Sequence, residues 1–144
     1  MSLSWSALHA QLLASTNRVE AIRIYEHIRN AAGDALPPGD VSSLLAFLHG
    51  SDDDAESKNR ALYALVHAGQ AEPAWAEVSG TLLLLALWPG LDAVRSRLRR
   101  RFPDERKLLD AELVGRMSVA IHDCDLTQVN RIAATLLRNV ERDV

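Results

Sequence analysis

Seven consecutive apolar residues, Leu82 to Trp88, stand near the middle of the chain and end at Pro89-Gly90. On a helix such a run is apolar around its whole circumference. It has no side to offer to water, so other elements must cover it from every direction. The run is far shorter than the ~20 residues that a bilayer-spanning helix needs. It therefore predicts the central helix of a multi-helix domain rather than a membrane contact, and 144 residues suffice to build one core around it. Cys124 is the only cysteine, so no intrachain disulfide contributes, and a reducing, cytoplasmic setting is expected. The opening Met1–Ser6 has neither the basic start nor the apolar run of a secretory signal.

The remaining segments supply the cover. Ala and Leu are abundant beside only 7 Gly and 5 Pro, which favours helices because Ala and Leu lose little rotamer freedom there. Nowhere does polar/apolar alternation run long enough for a strand. The spacing predicts an all-α, compact domain of about seven helices spanning 1–144. The first covers about 4–14, with Trp5, Leu8 and Leu12 in register. Asn17 and Glu20 form a capping box that opens the second, which runs to about Ala32 with Val19, Ile22, Tyr25 and Ile28 inward. Asp40 caps a short third helix carrying Val41, Leu44, Leu45 and Leu48. After the acidic loop Asp52–Asp54, the fourth covers about 54–68 and stops at Gly69. The fifth starts at Glu72-Pro73 and is broken or kinked at Pro89-Gly90, after which a further helix runs to about Phe102. Pro103-Asp104 caps the sixth, 105–123, with Leu109, Leu113, Met117, Ala120 and Cys124 inward. The last, from about Thr127, carries Val129, Ile132, Ala133, Leu136, Leu137 and Val140 to Val144 with no Gly, Asn or Pro stop. That ending predicts either a longer natural chain or an oligomer formed through the C-terminal helix. No internal repeat is visible, which disfavours a solenoid.

Catalytic patterns are missing from the sequence. No pair among His9, His27, His49, His67 and His122 has the spacing that presents two ligands to one metal. His49 near Asp52, Asp53 and Asp54 is the one acid/His cluster, and it reads as a solvated turn without the spaced oxygens of a calcium loop. Cys124 falls on an apolar face and reads as a small buried hydrophobe. No nucleophile elbow, phosphate loop or dinucleotide fingerprint occurs. The expectation is a non-enzyme with no metal and no cofactor.

Charge is uneven along the chain. Residues 1–80 hold 5 Lys/Arg against 10 Asp/Glu, a balance of −5, and residues 81–144 hold 11 against 9, a balance of +2. The one dense basic run is Arg95, Arg97, Arg99, Arg100 and Arg101, the candidate nucleic-acid contacts. At ~100° per residue, Arg95 and Arg99 edge one side of an apolar stripe of Leu91, Val94, Leu98 and Phe102. Arg97 and Arg101 edge the other, and Arg100 points away. Arginines that fence a stripe in this way pack their stems over the core, so nucleic-acid binding is expected to be weak.

Across the sixth helix, Glu112, Arg116, Val119 and Asp123 align on successive turns with Gly115 beside them. Val119 is an outward apolar residue between charges, and Gly115 admits the close approach of another backbone. These five residues are the candidate partner-binding surface.

From Leu62 to Val144 the chain resembles the second conserved region of bacterial RNA polymerase sigma factors. Glu112-Leu113-Val114 matches the start of that family's acidic-Leu-Val-Gln-Glu motif, whose helix grips the polymerase clamp. Leu136-Leu137-Arg138-Asn139-Val140-Glu141-Arg142-Asp143 resembles its basic Arg-Ile-Ala-Arg-Asn-x-x-x-Asp segment. Ala68–Ala71, followed by a Leu-rich and then a basic helix, resembles the start of the region. Residues 1–61 carry no such likeness. Gly115-Arg116 stands where the family has Gln-Glu, and Ser118 where it usually has Phe. No aromatic residue occurs from Pro103 to Val144, whereas promoter melting in the family uses aromatics that capture flipped bases. The resemblance implies a regulator that binds a protein partner such as RNA polymerase, without competence to melt promoters. A helical adaptor or dimerisation domain unrelated to transcription is the alternative. Titration with duplex DNA at low and moderate salt is expected to show no appreciable binding. Salt-sensitive binding that disappears in Arg97→Ala/Arg101→Ala would overturn that expectation.

Overall fold

The computed structural model describes residues 4–51 and 54–144. Among them the fold is entirely helical, with eight α-helices and three short 3-10 turns. In chain order the helices are α1 (Trp5–Ser15), α2 (Val19–Ala32), α3 (Val41–His49), α4 (Ala55–Ala71), α5 (Ala76–Ala86), α6 (Trp88–Leu98), α7 (Arg106–His122) and α8 (Ile132–Asp143). The break expected at Pro89-Gly90 falls two residues earlier, where Leu87 leaves helical geometry and separates α5 from α6 with a bend of 63°. Pro89 then sits in the first turn of α6, where its missing N–H costs nothing. No single helix among the described residues is long and apolar enough to cross a membrane.

All seven residues from Leu82 to Trp88 are buried. α5 achieves this by packing against α1, α2, α3, α4 and α7. Leu113 and Met117 of α7 and Ile132 and Leu136 of α8 are fully enclosed, and one connected apolar cluster runs from Trp5 to Val140. Helices from before and after residue 62 thus share one core. α7 and α8 fold back on one another as a hairpin, and α6 packs on both.

α4 and α5 pack tightly against one another. Ser79 donates its hydroxyl to the Leu65 carbonyl, and a Cβ on Gly69 would lie 2.9 Å from Ser79 Oγ. Gly69 is therefore a contact point inside α4, not the stop that its residue type suggested. Gly90 has the same role in α6, where any Cβ would collide with the Leu137 methyl groups of α8.

Several local expectations yield to tertiary packing. The Asn17–Glu20 capping box does not form: α2 begins at Val19 after Arg18, with no side-chain cap. Tyr25 and Ile28 are buried, but Val19 is 73% exposed and Ile22 48%. α2 turns inward the stripe Ala21, Ile24, Tyr25, Ile28 and Ala32, and at ~100° per residue Val19 lies nearly opposite it. Asp104 makes no cap for α7. Thr127 does not start the last helix, since Asp125 binds the Thr127 amide and hydroxyl in a local turn and α8 opens five residues later. At the far end Val144 packs partly against the chain's own core. Asp40 caps α3 as expected, and Asp54 of the acidic loop caps α4, whereas Asp52 and Asp53 lie outside the described residues.

Two amide side chains of α4 hold the α7–α8 connection. Asn59 Oδ1 accepts the Ile132 N–H at 2.8 Å, and its Nδ2 donates to the Asn130 carbonyl at 2.8 Å. Gln70 donates to the carbonyls of His122 at 3.2 Å and Cys124 at 2.8 Å. Eleven residues separate Asn59 from Gln70, which places them on one face of α4. One helix thus caps the end of α7 and the start of α8, satisfying backbone groups that neither helix satisfies itself.

Leu85, fully buried, should cost about 2–5 kcal/mol when changed to Ala. Asn59→Ala should cost about 0.5–2 kcal/mol, the usual worth of a cap. Urea denaturation monitored by circular dichroism measures both.

Candidate functional site

The outward face of α7 is where the candidate partner surface falls. Leu109, Leu113 and Met117 commit the opposite face to the core. Gly115, Arg116, Val119 and Asp123 are exposed, with Val119 at 58%, and Glu112 is half-exposed. Arg116 Nε donates to Glu112 Oε2 at 3.1 Å, one turn away. Nothing lies within 4 Å of where a Gly115 Cβ would stand. The fold therefore does not require glycine there, although glycine inside a helix costs ~1 kcal/mol relative to alanine.

Arg116, Val119 and Asp123 also form one wall of a cleft of about 350 Å³ between α7 and α8. Asp125, Leu136, Asn139 and Asp143 supply much of the rest, with Cys124 at its base. Three carboxylates, Asp123, Asp125 and Asp143, thus share the cleft with one guanidinium. Hydrogen bonds from Thr127 hold the Asp125 carboxyl below its ordinary range. Arg142 does the same for Asp143, with a smaller contribution from Arg116. The cleft is acidic at neutral pH. The contribution of Asp125, Asn139 and Asp143 was not foreseen, because only the hairpin brings them beside α7.

The arginine run is not one surface. Arg95 is tucked between α1, α6 and α7: its Nε donates to the buried Asp110 carboxylate at 2.6 Å, and its guanidinium lies 5.1 Å from the Trp5 ring centre. Arg97 makes a two-pronged pair with Glu141 of α8 at 2.8 and 2.9 Å. That pair holds the Glu141 carboxyl below its ordinary range, chiefly by hydrogen bonding. Arg99, Arg100 and Arg101 leave the α-helix for a 3-10 turn and stay exposed, so the helical register that aligned Arg99 with Arg95 ends at Leu98. Two of the five candidate nucleic-acid contacts are thus spent on internal ion pairs.

A second cleft, of about 620 Å³, contains none of these residues. It opens where α3, α4, the α5–α6 break and α8 meet, over Leu48, Leu62, Leu87 and Ala133, with Arg131 at its rim. Four segments distant in sequence build it, and no local motif announces it.

His49 meets the Leu85 carbonyl at 3.1 Å, where Nε2 must donate because a carbonyl only accepts. Among the described residues no three His, Cys, Asp or Glu side chains gather closely enough to hold a metal ion. Compared with known protein families, curated proteins and solved structures, the chain has no match.

Burial, with Asp125 nearby, pushes the Cys124 thiol above its ordinary pKa, so the reactive thiolate is scarce at neutral pH. Iodoacetamide should therefore label the folded protein far more slowly than the urea-unfolded chain. Mass spectrometry of timed samples reads the difference.

Proposed function

We propose that this chain is a non-catalytic, sigma-like helical module that acts as a transcription-related regulator by docking the outward face of α7 on a protein partner, RNA polymerase. The observation that carries this reading is the exposed stripe Glu112, Gly115, Arg116, Val119 and Asp123, on a helix whose other face is fully occupied. Of the three segments that carry the likeness to sigma factors, two lie on the neighbouring helices α7 and α8. An exposed valine beside an unhindered glycine offers close contact, while the three cleft aspartates select a basic partner surface.

The departures from the family pattern set the expected behaviour. Arg116 stands where the family has a carboxylate, so affinity for the polymerase clamp is altered rather than sigma-like. Without an aromatic residue after Phe102, bases flipped from a promoter have no stacking partner on α7 or α8.

The test is a pull-down of core polymerase and its isolated clamp with the wild type, Val119→Asp and Arg116→Glu. Val119→Asp should abolish capture and Arg116→Glu should change it. Both variants should keep their stability within about 0.5 kcal/mol, as exposed substitutions do. Failure of all three proteins to capture polymerase would leave the reading of a helical adaptor unrelated to transcription.

A further inference from the structure

We propose that α1 is a hinged strap that opens as a unit from the α5–α6 elbow and uncovers Trp88, while the remaining helices stay folded. α1 holds no acidic or Lys/Arg residue, and it contributes one buried side chain, Trp5. Leu8 and Leu12 are only partly covered, and Leu13 remains 37% exposed. Its 11 residues fall short of the ~12–15 that an isolated helix needs for marginal stability, so α1 is helical because it is docked.

The docking centres on Trp5, with the His9 ring also 5.0 Å from the Trp88 ring. The Trp5 ring stacks on Trp88 with centroids 4.2 Å apart and 24° between planes. Its Nε1 donates to Asp92 at 3.1 Å, and the Arg95 guanidinium lies against it. Among the described residues this is the one side-chain hydrogen bond from α1 to another element; Ser15 and Thr16 bond only to carbonyls three residues back. Part of the socket has supports outside α1. Arg95 is held independently by Asp110 of α7, and Trp88 is anchored in the first turn of α6. With α1 lifted, an aromatic ring bordered by one carboxylate and one guanidinium remains in place. Elements with few buried contacts open locally at much lower free energy than the core, and α1 is such an element.

Hydrogen exchange on the intact chain, read by mass spectrometry, tests this directly. The α1 amides should exchange on the order of 100-fold or more faster than those of α4 and α5. Trp5→Ala should accelerate exchange in α1 further and leave α4 and α5 protected. Asp92→Ala, at an exposed position, should do the same to a smaller degree. A synthetic peptide covering residues 4–16, added to the Trp5→Ala protein, should bind and restore protection around Trp88. Exchange of α1 in step with α5 in the wild type would overturn the proposal. So would loss of protection in α4 and α5, or global unfolding, in Trp5→Ala.

Discussion

Everything in this fold answers to one demand: the stretch Leu82–Trp88 must be hidden from water on all sides. Each fully buried Leu gains about 1.5–3 kcal/mol over exposure. Only complete enclosure collects that gain around a whole helix, so α5 draws α1, α2, α3, α4 and α7 onto itself. The bend at Leu87 follows from the same demand. A straight continuation would carry the chain out of the cluster, whereas a 63° turn returns Leu91, Val94 and Leu98 to it.

Enclosure of an apolar helix says little about how the outer helices are held in register, and polar groups settle that here. Asn59 and Gln70 on α4 grip both sides of the α7–α8 connection. Ser79 closes α4 on α5, while Arg95–Asp110 and Arg97–Glu141 tie α6 to α7 and α8. These contacts join residues far apart in sequence. They set the hairpin whose outer side carries the exposed α7 stripe and the acidic cleft. The surface that a partner would meet therefore depends on internal amides and ion pairs that never touch it.

The arginine run shows how charge acquires meaning only in context. Five arginines within seven residues resemble a polyanion-binding signal in sequence. In the fold, Arg95 stabilises a buried carboxylate beside an indole, Arg97 clasps α8, and the remaining three follow a tighter 3-10 path. Because the run is divided among these tasks, its exposed part does not form the single aligned face that its sequence density suggests.

Apolar periodicity alone determined the helical class, the centrality of Leu82–Trp88, and the inward faces of α7 and α8, because burial of a repeating stripe is a local requirement written in residue spacing. The outward position of the α7 stripe followed as the complement of that inward face. Tertiary structure alone decided the ends and rotations of helices. Val19 and Ile22 belong to an apolar-looking register, yet α2 rotates them outward to seat Tyr25 and Ile28. Gly69 has the chemistry of a stop and serves as a contact, and Thr127 gives up the start of α8 to a cap supplied from α4. A helix end can have its backbone groups satisfied by its own residues, by water or by a distant side chain, and these choices differ by only about 0.5–2 kcal/mol. Sequence neighbours therefore cannot reveal which partner wins, and the packed fold can.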